Sequence, residues 1–277
     1  MLVTKTLVKK LYPPRPEWSH KGERGRLLVI GGSKTYSGSP ALVALAAIKA
    51  GVDWVDIFSP KRAADIGATF SPDLITHPQR GDFLNSWHLN EAFFLAKRDT
   101  AVVIGNGLGR RKETENFIVE FLKKAEKPCV IDADAIHAIA KKEFLIKNNF
   151  VLTPHSYEFF ILADKRPTDN VSERQGMVQQ FAKELGCTIL LKGHVDVISD
   201  GKRMAINKTG HPTMSKSGTG DCLAGICGAL LARGADPFEA ACAAAWINGS
   251  AGELAAKEFG ESLMASNIIE NIHKILK

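Results

Sequence analysis

RLLVIGGSKTYSGSPALVALAAIKAGVDWVDIF, residues 26–58, sets the fold class. Arg26–Ile30 is an apolar run of strand length that stops at Gly31, Gly32 and Ser33. Ser39 suits a helix N-cap, Pro40 the first helical position and Gly51 the stop. Between them lies a strongly apolar helix. Val52–Phe58 then reads as a second strand. Strand, helix and strand in this order make a βαβ unit, whose strands lie parallel.

The alternation continues outward. Ala101–Ile104 is a buried strand that runs into Gly105, Asn106, Gly107, Leu108 and Gly109, and Glu113–Glu126 is an amphipathic helix. Pro128–Ile131 and Phe150–Leu152 are short strands that end in polar residues. Val171–Leu185 is a helix stopped by Gly186, and Thr188–Leu191 a strand ending at Lys192 and Gly193. Val195–Ser199 and Arg203–Asn207 flank Asp200 and Gly201, the sequence of a two-residue hairpin turn. Gly218–Arg233 is helical, and Asp236, Pro237 and Glu239 open a further helix. The pattern predicts an α/β chain: one mostly parallel central sheet with helices on both faces, in three layers. No repeat or linker interrupts it, so residues 1–277 are expected to form one domain with a basic segment over 1–20. In such sheets the chemistry gathers at the carboxyl ends of the strands.

Composition narrows the function classes. Hydrophobic residues make up 45% and charged residues 24%, which suits a globular core and excludes a disordered chain. The formal charge is +6, but residues 1–26 hold seven basic and two acidic residues, so the remainder is almost neutral. A broad phosphate-backbone surface is therefore not expected, nor a nucleic-acid partner, and the basic start reads as a solvated segment. The five cysteines are odd in number, form no C-x-x-C and sit in apolar surroundings. They read as core residues of a reduced, cytoplasmic protein. No signal peptide and no membrane-spanning run is found.

Two phosphate motifs fail. Gly31 to Thr35 lacks the spacing of a Walker A loop, with Leu28 where its first glycine belongs. Gly105-x-Gly107-x-Gly109 brings its third glycine one residue early for a dinucleotide fingerprint, although it suits a backbone approached closely by a ligand. The strongest signal is Ser217, Gly218, Thr219, Gly220 and Asp221 before CLAGICGALLA. Two glycines permit a tight turn that leaves N–H groups free at a helix N-terminus, where the dipole favours an anion. A carboxylate beside such a hole can accept the proton of a hydroxyl attacking phosphorus, or it can merely cap the helix. Gly225 and Gly228 point to close packing.

The motifs GRLLVIGGSKTYSGSP, IGNGLG, VIDADAIHAI, LTPHSYEF, LLKGHVDVI and NKTGHPTMSKSGTGDCLAG occur in this order from about His20 to about Leu254. In that order and spacing the chain resembles the ADP/ATP-dependent NAD(P)H-hydrate dehydratases of the ribokinase-like superfamily. The resemblance implies a metabolite-repair enzyme. It would phosphorylate the C6 hydroxyl of the S epimer of hydrated NADH or NADPH (NADHX or NADPHX) and eliminate phosphate, with Mg²⁺ and ADP or ATP, ADP being the expected donor. By position, Asp221 is the base, and Gly218, Thr219 and Gly220 form the anion hole. Lys192, Gly193, His194, Val195, Asp196 and Gly220 bind the adenine nucleotide. Ser39, Gly107, His155 and Asp221 contact the hydrated dinucleotide. Glu158 orders Mg²⁺ through water, and Asp132 and Asp134 stand where they could support the ion. A homo-oligomer, a tetramer among its forms, and an epimerase on a separate chain are also expected.

Three positions depart from the family's pattern. His155, Ser156, Tyr157 and Glu158 replace His-Pro-Gly-Glu, and Tyr157 is expected to narrow the substrate cleft. Ser217 replaces one glycine of a pair. Ser39 stands where the family shows alanine and adds a hydroxyl. Two rival readings share the fold: a kinase of a vitamin alcohol such as hydroxyethylthiazole, and a nucleotide sensor without turnover. A stable phosphorylated product would mark the first, and nucleotide binding without turnover the second.

Overall fold

The computed structural model describes all 277 residues. Nine strands form a single sheet: β1 (Arg26–Ile30), β2 (Trp54–Pro60), β3 (Ile75–Gln79), β4 (Ala101–Ile104), β5 (Cys129–Ile131), β6 (Phe150–Leu152), β7 (Thr188–Leu191), β8 (Asp196–Ser199) and β9 (Met204–Asn207). Their order is β3-β2-β1-β4-β5-β6-β7-β8-β9. The first seven run parallel, and β8 and β9 close one edge antiparallel. The helices are α1 (Lys5–Lys10), α2 (Ser39–Lys49), α3 (Lys61–Ala68), α4 (Leu89–Arg98), α5 (Lys112–Lys124), α6 (Asp134–Ile139), α7 (Ser156–Ala163), α8 (Val171–Leu185), α9 (Thr219–Ala232), α10 (Pro237–Phe259) and α11 (Ala265–Leu276).

The sheet has a core on each face. Leu27 and Val29 of β1 pack with α2, α9, α10 and α11, whereas Leu28 and Ile30 pack with α4, α5, α6 and α8. Both faces are covered, which is why the strands read as unbroken apolar runs instead of alternating ones. The chain builds β1, β2 and β3 outward in one direction and returns to β4 on the other side of β1. That reversal opens a crevice at the carboxyl ends of β1 and β4.

Close helix packing explains two glycines. A Cβ at Gly225 would stand 2.2 Å from the Val43 carbonyl oxygen of α2, and one at Gly228 would stand 2.3 Å from Val103 Cγ2 of β4. Gly225→Val must push α2 away from α9. It is expected to cost about 3 kcal/mol in denaturant unfolding. An unchanged unfolding midpoint would show that α2 yields freely.

Three local expectations are corrected. The N-cap of α2 is Gly38, with Ser39 already helical, so the Ser39 hydroxyl is free to act elsewhere. The turn between β8 and β9 holds four residues, because Ser199 pairs with Met204. Asp200 Oδ1 accepts the N–H groups of Lys202 and Arg203, and this turn bonding widens the loop beyond Gly201. The N-terminal segment is docked. Val3 N–H donates to Ile206 O, Ile206 N–H donates to Met1 O, and Val3 and Val8 are buried. It covers the open edge of β9 while Lys5, Lys9 and Lys10 remain exposed. All five cysteines are buried and free, as their apolar neighbours predict. No helix is long and apolar enough to cross a membrane.

Candidate active site

Four adjacent strands, β4 to β7, deliver polar residues at or just beyond their carboxyl ends: Asn106, Asp132, Thr153 and Lys192. Asp132 is their hub. Its Oδ1 accepts the Thr153 hydroxyl at 2.7 Å and Lys192 Nζ at 2.9 Å, and its Oδ2 accepts Asn106 Nδ2 at 2.9 Å. Asn106 Nδ2 also donates to Asp221 Oδ1 at 2.7 Å. The Ser39 hydroxyl lies close enough to Asp221 to favour its ionised form. Lys192 Nζ lies 3.8 Å from Glu158 Oε2. One ammonium thus faces three carboxylates in a largely dry crevice.

Burial pushes the Asp221 carboxyl up to about 6, helped by the nearby Asp132 charge and opposed by Asn106, Ser39 and Lys192. Burial also raises Glu158, with Asp132 adding to it and Lys192 opposing. Burial works against the charge on Lys192, but the carboxylates of Asp132, Glu158 and Asp221 outweigh it and hold the ammonium above its ordinary value.

The turn before α9 has the open backbone geometry that an anion hole requires. Gly218 has φ +91°, and a Cβ there would meet Leu42 and Ala265 within 3 Å, so glycine is required. The N–H groups of Gly220 and Asp221 find no backbone acceptor and stay available. Lys192 Nζ lies 3.5 Å from the place a Cβ of Gly220 would take, so a cation borders the hole. The Thr219 hydroxyl is engaged with the carbonyls of Met214 and Lys216 and braces the loop. Thr219 N–H also donates to Lys216 O at 3.5 Å, so the free donors of the turn are those of Gly220 and Asp221.

The loop after β7 lines a cleft of about 670 Å³ with Thr209 to Lys216 and the Ala245–Gly249 part of α10. Such a volume suits a nucleotide. Asp196 holds this loop, because its carboxylate accepts Gly193 N–H at 2.9 Å and Asn207 Nδ2 at 3.0 Å. Burial pushes its carboxyl up to about 6 against those bonds. A side chain at Gly193 would strike Arg174, and His194 is exposed at the rim.

His155 and Glu158 cap α7 reciprocally. His155 Nδ1 accepts the N–H groups of Tyr157 and Glu158, and Glu158 Oε2 accepts His155 N–H at 2.8 Å. The ring nitrogen Nδ1 therefore carries no proton, which leaves Nε2 as the donor side. Tyr157, 55% exposed, stands between the rings of His155, His137 and Phe160.

The structure separates some expected partners. Asp134 turns away from the cluster and accepts Gly109 N–H at 2.8 Å and Arg110 Nε at 3.1 Å. Its reading as metal support is corrected: the nearby guanidinium and backbone N–H claim it. Two glycines of IGNGLG are required by close protein neighbours, and Gly109 by its φ of +80°. A Cβ at Gly105 would lie 1.8 Å from Asp132 O, and one at Gly107 would lie 2.8 Å from Tyr36 Cβ and 3.0 Å from Ser39 Cβ. Asn106, Thr153 and Asn248 escaped the sequence reading. Asn248 is buried beside Thr219 O with its Oδ1 unpaired. A polar residue within a glycine-rich strand end was the one available signal for Asn106.

Fold and crevice together define a mostly parallel α/β protein with free backbone N–H groups and a buried lysine–carboxylate cluster at one end of its sheet. Residues 27–274 match the family model of NAD(P)H-hydrate dehydratases, and the chain belongs to that family. It is 35% identical over 279 residues to an ADP-dependent (S)-NAD(P)H-hydrate dehydratase of Nitrosopumilus maritimus, covering 99% of this chain and 96% of the relative. It is 44% identical over 261 residues to a bifunctional NAD(P)H-hydrate repair enzyme of Pyrobaculum aerophilum, covering 94% of this chain and 52% of the relative. The chain thus spans about half the length of several curated relatives it matches. Among solved structures, the Bacillus subtilis ADP/ATP-dependent NAD(P)H-hydrate dehydratase co-crystallised with ATP and Mg²⁺ superposes with a TM-score of 0.83. That likeness covers 99% of this chain and 96% of the other, at 24% identity. A hydroxyethylthiazole kinase of Pyrococcus horikoshii superposes less well, with a TM-score of 0.68 at 18% identity over 98% of this chain and 93% of the other.

Proposed function

We propose that the chain dehydrates the S epimer of NADHX and NADPHX, with ADP as phosphoryl donor and AMP and phosphate as products beside NADH or NADPH. The observation that carries this reading is the glycine turn before Asp221, whose free Gly220 and Asp221 N–H groups are bordered by Lys192, itself held by Asp132. Asp221 takes the proton of the C6 hydroxyl, and the alkoxide oxygen attacks the terminal phosphorus of the donor. Free N–H groups of the α9 turn and the Lys192 ammonium receive the negative charge on the transferring group. The ring nitrogen of the substrate then pushes out phosphate, and loss of a proton from the adjacent carbon restores the reduced ring. Hydroxide leaves poorly and phosphate leaves well, which is the chemical sense of the detour.

The donor lies in the cleft beside Lys192, Gly193, His194, Val195 and Asp196, and Ser39, Gly107 and His155 bound the substrate side. No three of the His, Cys, Asp and Glu side chains come close enough to hold a bare metal ion. The donor set at Glu158 and Asp132 instead fits a Mg²⁺ held through water and donor phosphates, where it would screen phosphate charge. The single continuous sheet supports reading residues 1–277 as one domain. A cytoplasmic homo-oligomer is the expected state.

The test is a repair assay. Purified protein with hydrated NADH is expected to restore absorbance of the reduced ring only when Mg²⁺ and ADP or ATP are added, with ADP faster. No recovery with either nucleotide would overturn the reading. A stable phosphorylated alcohol would point to the kinase alternative.

A further inference from the structure

No catalytic pattern in the sequence singles out Asn106, yet it alone touches both Asp132 and Asp221. It is 1% exposed. Its Nδ2 lies 2.9 Å from Asp132 Oδ2 and 2.7 Å from Asp221 Oδ1. An amide nitrogen carries two hydrogens, so both bonds are made at once. Turning the amide over would set its oxygen against two carboxylates, so charge fixes its orientation. Asp132 is a firm anchor, because Thr153 and Lys192 hold its other oxygen. The Asn106 Oδ1 is buried without a partner. No protein group holds that oxygen, so Asn106 is fixed in the site through its donor side.

We propose that Asn106 is the positioning residue of the base, tying one oxygen of Asp221 to the Asp132 anchor and leaving the other for proton transfer. This rests on the reading of Asp221 as the base. The groups facing Asp221 are Asp132 from β5, Lys192 from β7, Ser39 from α2 and the Cys222 thiol beside it on α9. Among them the Asn106 bond favours the ionised carboxylate against burial and the repulsion of Asp132. Without it Asp221 ionises less readily and swings more widely.

The test is a pH profile of Asn106→Leu in the repair assay. The acid limb of kcat/KM is expected to move up by about one pH unit. The plateau kcat is expected to fall about 10- to 100-fold through misplacement of the base. KM for the nucleotide donor stays near wild type, which a general loosening of the site would not allow. Asn106→Ser has too short a donor to span both carboxylates and is expected to move the limb the same way. It serves if the leucine variant does not fold. An unmoved limb with normal kcat, or a change in donor KM alone, overturns the positioning role. If Asp221→Asn is inactive while the limb stays in place, only this inference fails. If Asp221→Asn is itself active, the reading of the base fails, and this inference with it.

Discussion

Asp221→Asn is expected to lower turnover by about 10²–10⁴-fold, the range for loss of a general base, while raising thermal stability at neutral pH. The two effects share one cause. Asp221 is driven into a crevice where burial and the nearby Asp132 charge push its carboxyl up to about 6. A carboxyl raised in the folded state destabilises the fold once ionised. The loss is present above pH 6 and is recovered as pH falls through the folded value. A displacement of this size corresponds to about 1–3 kcal/mol at neutral pH. Asparagine removes the charge and keeps the shape. Its oxygen can still accept from Asn106 Nδ2. The wild-type enzyme is expected to lose kcat/KM below about pH 6, where Asp221 protonates. Differential scanning fluorimetry at pH 7.5 and pH 5 reads the stability arm. The variant's advantage should shrink at the lower pH. Near-normal turnover, or a variant less stable than wild type at neutral pH, would reduce Asp221 to a helix-terminal residue held by its bonds.

Lys192→Met is expected to act in the opposite sense on stability and in the same sense on activity. Lys192 is 19% exposed in its side chain and is the one ammonium among Asp132, Glu158 and Asp221. Removing it leaves buried carboxylates unpaired, which costs about 3–5 kcal/mol. The same change strips the cation from the rim of the anion hole. Donor KM should rise and kcat should fall, because charge on the transferring phosphoryl group loses its neighbour. Lowering the pH supplies protons to the abandoned carboxylates. The stability deficit of Lys192→Met should therefore narrow from pH 8 toward pH 5. A deficit independent of pH would show that Lys192 matters through packing of its stem and not through charge.

Much of the architecture was open to reading in the chain. Two covered faces impose continuous apolar strands, and the caps and glycine stops at Gly51, Gly186 and Asp236 are local chemistry. The edges were less legible. β3, with Pro78 and His77 among its five residues, lacks the apolar run that marks the central strands. The N-terminal segment looks like a solvated basic stretch until β9 offers it unpaired backbone groups. Asp134 and Asp132 are two residues apart and alike in sequence, yet one pins a loop through Arg110 and the other anchors the crevice.

By itself the sequence determined the parallel sheet, the glycine turn before α9 and the family, because periodicity, turn residues and ordered motifs are local properties. Only the tertiary structure decided which polar groups meet. Asn106, Asp132, Thr153, Lys192 and Asp221 lie up to 115 residues apart and converge because strand order, which the chain does not spell out, sets their carboxyl ends side by side. Their charges acquire chemical meaning only after burial removes water from between them.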